Sequence, residues 1–167
     1  QSFAVSIALH AQGRLRLGVV LDPTRDELFT AIDGAGAHVN ERRLRVSRCE
    51  ELSGALVACS FRAGVTRDAP EVGQFVRVLE RCQSVRRLGS CALNMCYVAD
   101  GRLDAYWATS VSAWDSAAGA VIAREAGAVL TETDGSEFNE WKPRFCVSAT
   151  DSLHRSLVSL FSDPDAA

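Results

Sequence analysis

Two short stretches of this 167-residue chain hold residues whose types and spacing could do chemistry. The first is Trp114-Asp115, followed by Ser116, Ala117, Ala118 and Gly119. An aspartate at the start of a helix caps it by accepting backbone N–H bonds. The same carboxylate, held rigidly at a helix end, is also a ligand for a hard cation such as Mg2+, which takes oxygen donors. On residue types alone both roles stay open. The small residues that follow let this helix approach a sheet or a second helix closely in either case. The second stretch is Arg86-Arg87-Leu88-Gly89-Ser90-Cys91, which reads as a strand turning into a helix. Free N–H groups at a helix start attract anions, and a Gly-Ser turn lets a ligand reach the backbone. The same pattern also serves as a plain strand-turn-helix connection.

Other candidates carry less. The six cysteines (Cys49, Cys59, Cys82, Cys91, Cys96 and Cys146) form no C-x-x-C pair, and several lie inside apolar runs. That is the pattern of buried thiols in a reducing cytoplasm. His10, His38 and His154 stand apart from them in sequence, so no zinc-ligand spacing exists. Cys82 fails as a phosphatase nucleophile, because a C-x5-R loop needs arginine where Leu88 stands. Asp22, Asp26, Asp100 and Asp104 are expected in turns or on exposed strand faces, in contact with solvent. Arg42, Arg43, Arg45 and Arg48 form a local basic run, read as a solvated face.

The elements that must position these residues follow from periodicity and punctuation. The chain begins with antiparallel strands over Phe3 to His10, Arg14 to Leu21 and Glu27 to Ile32. Gln12-Gly13, Asp22-Pro23-Thr24 and Asp33-Gly34 separate them, and Arg14 to Val19 alternates with the period of two that buries one face of a strand. Gly34 to Ala37 and Asn40 to Arg42 read as one further tight connection. From about residue 52 strands and helices alternate: a strand at Ala55 to Cys59, then a helix from Pro70 to Cys82 with Val72, Phe75, Val76 and Leu79 on one face. A strand at Ser84 to Leu88, a helix from Cys91 to Asp100 and a strand at Leu103 to Trp107 come next. A helix from Asp115 to Ala126, strands at Ala128 to Thr133 and Arg144 to Ala149, and a helix capped by Asp151 complete the chain. Such alternation implies an α/β sheet with helices on its faces.

Composition bounds the partners. Hydrophobic residues make up 47% and charged residues 23%, which excludes disorder and collagen-like repeats. A net charge of −3 offers no sequence-wide attraction to nucleic acid or anionic lipid. No uncharged apolar run reaches the roughly 18 residues a membrane helix needs.

Taken together, the two stretches resemble the inositol monophosphatase family. Trp114-Asp115-x-Ala-Ala-Gly119-x-x-Ile122-x-x-Glu125-Ala-Gly127 is similar to its C-terminal signature. Gly89 to Asn94 and Ala99 to Asp104 precede it at the family's spacing, and Phe3 to Ile7, Gly18 to Pro23, Glu27 to Ala31 and Gly34 to Ala37 match its middle strands. The resemblance implies the C-terminal part of a layered αβαβα sandwich, with antiparallel strands first and then a mixed sheet flanked by helices. It divides the chain into 1–50, the remaining strands of an N-terminal half, and 51–167, a C-terminal α/β unit. It further implies a cytoplasmic, Mg2+-dependent phosphatase of a small phosphorylated substrate, homodimeric when intact. Asp115 then reads as metal ligand and substrate contact, and Gly89, Ser90 and Cys91 as the segment touching the substrate beyond its phosphate.

The departures are as informative. Family members carry an upstream Glu-Glu pair and an Asp-Pro-(Ile/Leu)-Asp-Gly-Thr motif that supply most metal carboxylates, and neither is in this sequence. The chain has no initiator Met and is in strand-like sequence by Phe3, so it reads as part of a longer enzyme, inactive alone and without a retained catalytic residue. Ala108 stands where inositol-specific members place a glutamate that binds sugar hydroxyls. A sugar bisphosphate, an adenosine bisphosphate nucleotide or histidinol phosphate is therefore an alternative substrate, and a non-catalytic binding or dimerisation module is the alternative of another class.

Overall fold

A computed structural model describes residues 3–142 and 144–162. Five strands, β1 (Val5–Ala11), β2 (Arg14–Asp22), β3 (Glu27–Ile32), β4 (Gly36–Val39) and β5 (Arg42–Arg43), form an antiparallel sheet in sequence order. The segment read from sequence as a tight connection is thus a short strand flanked by turns. Ala37 and Val39 point into the core, while Gly34 and Gly36 take the positive φ angles that the turn before it needs.

The second sheet is mixed. Its strands are β6 (Leu56–Ser60), β7 (Ser84–Arg86), β8 (Ala105–Ala108), β9 (Val129–Thr131) and β10 (Phe145–Ser148), in spatial order β7-β6-β8-β10-β9. β7 and β8 run parallel to β6 on its two sides, and β10 runs antiparallel to β8 and β9. The helices are α1 (Pro70–Leu79), α2 (Cys91–Ala99), α3 (Ala113–Glu125) and α4 (Asp151–Ser162). Among the described residues, no helix is long and apolar enough to cross a membrane.

Two cores hold four layers together. One face of the mixed sheet presents Val57, Cys59, Ala105, Trp107 and Cys146 to α1 and to Leu153, Leu157 and Leu160 of α4. The other face presents Ala58, Tyr106, Ala108, Phe145 and Val147 to α2 and α3, which also cover Val20, Phe29 and Ala31 of the antiparallel sheet. The layer order is α1/α4, mixed sheet, α2/α3, antiparallel sheet, in keeping with the expected α/β sandwich. α3 lies so close to β2 that a Cβ on Gly18 would sit 2.3 Å from the Ala118 carbonyl oxygen. The outer face of the antiparallel sheet is uncovered: Val5, Ile7, Leu9, Leu28 and Ile32 are each 40–56% exposed there.

Local expectations needed correction at several points. α1 ends at Leu79 rather than Cys82, and it buries Val78, while Val76 and Leu79 face outward. Thr150, not Asp151, caps α4, its hydroxyl accepting the Leu153 N–H at 3.3 Å. Of the four aspartates expected in solvent, Asp22 is buried and Asp100 and Asp104 are half-buried. Asp22 is fully enclosed and accepts bonds from the Thr24 N–H and hydroxyl, Arg25 and the Tyr97 hydroxyl. Burial alone would raise its pKa, but those four bonds outweigh it and hold the carboxyl at about 2. Asp100 joins Arg42 of β5 to Arg102, which also grips Glu27. Asp104 accepts the Leu56 N–H at 2.7 Å and the Ser47 hydroxyl. Asp26 alone of the four is exposed.

Candidate functional site

The parallel strands β7, β6 and β8 end at one edge of the mixed sheet, and the segments leaving them meet there. Crevices at the carboxyl ends of parallel strands are the general ligand position of α/β sheets, because helix N-termini converge on them. Here a cavity of about 420 Å3 is lined by Cys59 and Ser60 at the end of β6 and Phe61 just after it, by Arg87, Gly89 and Cys91 after β7, and by Val111 and Asp115 after β8. Both stretches singled out from sequence therefore reach one cavity, although 24 positions separate Cys91 from Asp115.

Gly89 makes the turn out of β7 with φ +91°, a left-handed conformation that a side chain would strain. Ser90 is the N-cap of α2: its hydroxyl accepts the Leu93 N–H at 3.4 Å and its carbonyl accepts the Asn94 N–H. Cys91 opens the helix. Burial pushes its thiol up to about 12, with the Asp115 charge adding to the rise against the Tyr106 hydroxyl, so it stays protonated and a poor nucleophile.

α3 begins at Ala113, with Ser112 as N-cap, so Asp115 is its third residue rather than the cap expected from sequence. Its Oδ2 reaches back to accept the Ser112 N–H at 3.0 Å. Oδ1 has no hydrogen-bond partner among the described residues, so capping and ligand binding are compatible in this one carboxylate. The Ser6 hydroxyl donates to the Trp114 carbonyl at 3.1 Å and ties this helix start to β1. Beneath the cavity, Asn94, Tyr106, Thr109 and Ser116 bury polar atoms with no hydrogen-bond partner. The Tyr106 hydroxyl faces Cys91, Ser60 and Asn94, and burial lifts its pKa well above the usual phenol value. Ala108 is fully buried on the same face of β8 as Tyr106 and offers the cavity no acceptor.

A divalent cation needs more than this chain brings together. Mg2+ takes six oxygen ligands in near-octahedral geometry, usually one or two carboxylates completed by waters and substrate phosphate oxygens. Among the described residues no group of three or more His, Cys, Asp or Glu is placed to hold a metal ion. Among the described residues, Asp115 is the single carboxylate on the cavity wall. One free oxygen does not constitute a metal centre, so the residues present do not hold Mg2+ by themselves.

Some members of the site had no sequence signal. Phe61 and Ser60 follow an apolar strand with nothing to mark them; only the order of the strands brings them beside Gly89. His154, set apart from the cysteines in sequence, packs its Nδ1 3.9 Å from Cys146 Sγ and 3.1 Å from the Ser148 hydroxyl. Its Nε2 meets Thr131, and burial lowers its pKa, which makes it a neutral core residue rather than part of the site.

The sequence model of the inositol monophosphatase family matches residues 1–164. An inositol-1-monophosphatase from Mesorhizobium japonicum is 43% identical over 166 residues, 99% of this chain and 62% of the relative. The Nus factor SuhB of Pasteurella multocida is 45% identical over 134 residues, 80% of this chain and 50% of that protein. The chain therefore spans between half and two thirds of these relatives. The structure of an inositol monophosphatase from Anabaena (Nostoc) sp. PCC 7120 superposes with a TM-score of 0.90 at 35% identity. That alignment covers 98% of this chain and 66% of the other.

Proposed function

The chain belongs to the inositol monophosphatase family, and on that premise we propose that it serves in the metal-dependent hydrolysis of a small phosphate monoester. One observation carries the reading: Asp115, Gly89 and Cys91 line a single cavity at the carboxyl ends of three parallel strands, with Ser90 capping α2 between the last two. In this reading the chain supplies the substrate-side wall. The α2 N-terminus and the Gly89 turn present backbone N–H groups to substrate oxygens, and Asp115 Oδ1 accepts from a substrate hydroxyl or gives one oxygen to Mg2+. Mg2+ is the cofactor assigned to the completed site, whose other carboxylates are not among those this chain brings together. The 167-residue chain alone is accordingly inactive. A cytoplasmic location and homodimerisation of the intact protein belong to the same proposal, the six free thiols supporting the first.

Position 108 bears on the substrate. Alanine there removes a hydroxyl acceptor, which argues against inositol and for another phosphate ester: a sugar bisphosphate, an adenosine bisphosphate nucleotide or histidinol phosphate. Two measurements test the proposal. Phosphate release from inositol 1-phosphate and the alternative esters by the chain with Mg2+ is expected to be nil. An NMR titration with the same esters is expected to shift the Gly89 and Cys91 amides, and less so in Asp115→Asn. Turnover that depends on Asp115 would overturn the inactivity of the chain, and silent amides at 89–91 would overturn the site.

A second reading rests on the uncovered sheet face formed by Val5, Ile7, Leu9, Leu28 and Ile32. Such a patch marks an interaction surface, and a chain that binds through it without catalysis would be a docking module. A folded dimer indifferent to Mg2+ in light scattering favours that reading over the enzymatic one.

A further inference from the structure

Among the residues lining the cavity, Arg87 stands out for how it is held. Its guanidinium carbon lies 3.9 Å from the centroid of the Phe61 ring, and its Nη2 donates to the Phe61 carbonyl at 3.1 Å. Elsewhere in the molecule Arg16, Arg25, Arg42 and Arg102 are positioned by carboxylates, which neutralise them. Arg87 makes no ion pair with a carboxylate among the described residues. A ring face and a carbonyl fix its plane while leaving its charge and most of its donors uncommitted. The N-terminal turns of α2 and α3 open on the same cavity, so two positive helix ends add to its field, against the one negative side chain, Asp115.

The chemistry of such a wall suits an anion. A guanidinium held flat offers paired N–H groups that match the oxygens of a phosphate or carboxylate, and it is weakly hydrated enough to exchange water for them. A neutral polyol hydroxyl gains much less there. We infer that Arg87 is a specificity-determining residue that binds a second anionic group of the substrate, so that the site takes a bisphosphate or a phosphorylated acid in preference to an uncharged polyol monophosphate. The inference rests on the phosphate-ester reading above.

The test uses the chain itself, 15N-labelled and with Mg2+ present, titrated with a hexose 1,6-bisphosphate, the matching hexose 6-phosphate and inositol 1-phosphate. The Gly89 and Cys91 amides and the Arg87 side-chain Nε–H report binding. Preference for the bisphosphate by about tenfold or more is expected. Arg87→Gln should erase that preference by lowering the bisphosphate affinity to that of the hexose 6-phosphate, and Phe61→Leu, which keeps the arginine but frees it, should reduce it. Equal affinity for mono- and bisphosphate, or an Arg87→Gln variant that weakens all three esters alike, overturns the role of Arg87 and leaves the phosphate-ester reading standing. If no ester moves the 89–91 amides of the wild-type chain, that reading falls and this inference with it.

Discussion

Gly18→Ala adds one methyl group at the point where α3 meets β2. The new Cβ would lie 2.3 Å from the Ala118 carbonyl oxygen, 3.0 Å from its carbonyl carbon and 3.1 Å from its Cα. Relaxed C···O contacts are about 3.3 Å or longer, so the gap has to open by roughly 1 Å. Both partners are main chain, and neither can turn away. The whole of α3 must lift off the antiparallel sheet and loosen its packing on Val20, Phe29 and Ala31. Overpacking of this kind typically costs about 1–3 kcal/mol. For a domain of this size, about 2 kcal/mol lowers Tm by roughly 4–8 °C. Circular-dichroism melts and urea titrations measure it, with Gly13→Ala as control: there φ is +76° but nothing lies within 4 Å, so only the backbone strain is felt. Combining Gly18→Ala with Ala118→Gly should not restore stability, because the clash is with the carbonyl rather than the Ala118 methyl. The Ser112 and Asp115 amides should shift as well, since the helix that moves carries them. A Tm within about 1 °C of wild type, or full rescue by Ala118→Gly, would refute the close-approach argument.

Two further predictions concern polar anchors. Glu125 accepts the Gly34 N–H at 2.8 Å and the Gly36 N–H at 2.7 Å, so Glu125→Ala strands two donors. A loss of about 1–3 kcal/mol is expected, with faster hydrogen exchange at both glycine amides and a smaller loss in Glu125→Gln; unchanged exchange would discount the clamp. The lowered pKa of Asp22, about 2 against the usual 3.8, stabilises the fold above about pH 4, and that contribution is lost as pH falls through about 2. Allowing for solvent around the half-exposed Arg25, the contribution is on the order of 1–2 kcal/mol. Asp22→Asn should flatten that part of an acid titration, and an unaltered acid slope would count against the assignment.

Most of the element order was legible because the chain announces it locally. Strict alternation from Arg14 to Val19, Pro70 in the first turn of a helix, and Gly101 and Gly127 just past two others are short-range signals, and the structure follows them to within a few residues. β4 was missed because four residues between glycines and an asparagine carry too little period to separate a strand from a turn. α1 was placed to within three residues, and Phe75 of its expected face packs inward, but Val76 and Leu79 of that face are exposed and Val78 is buried instead. That face is set by what packs against it, Phe75 meeting Phe61 and Val78 facing α4, and not by the helix itself.

Burial of charge followed the same divide. Asp22, Asp100 and Asp104 sit next to turn residues in sequence and look solvated, yet Tyr97, Arg42 and Leu56 reach them from 75, 58 and 48 positions away. Such partners exist only once the sheets are stacked, and without them those carboxylates could not be buried at tolerable cost.

By itself the sequence determined the α/β class, the helix carrying Asp115 and the turn at Gly89, Ser90 and Cys91, because each depends on residues within a turn or two of one another. The tertiary structure decided that these two stretches share a cavity, that Phe61 joins Arg87 in lining it, and that Ala108 offers nothing to it. The physical reason is strand order: β7 and β8 flank β6 and all three end together, a placement set by pairing between distant segments and not written in any one of them.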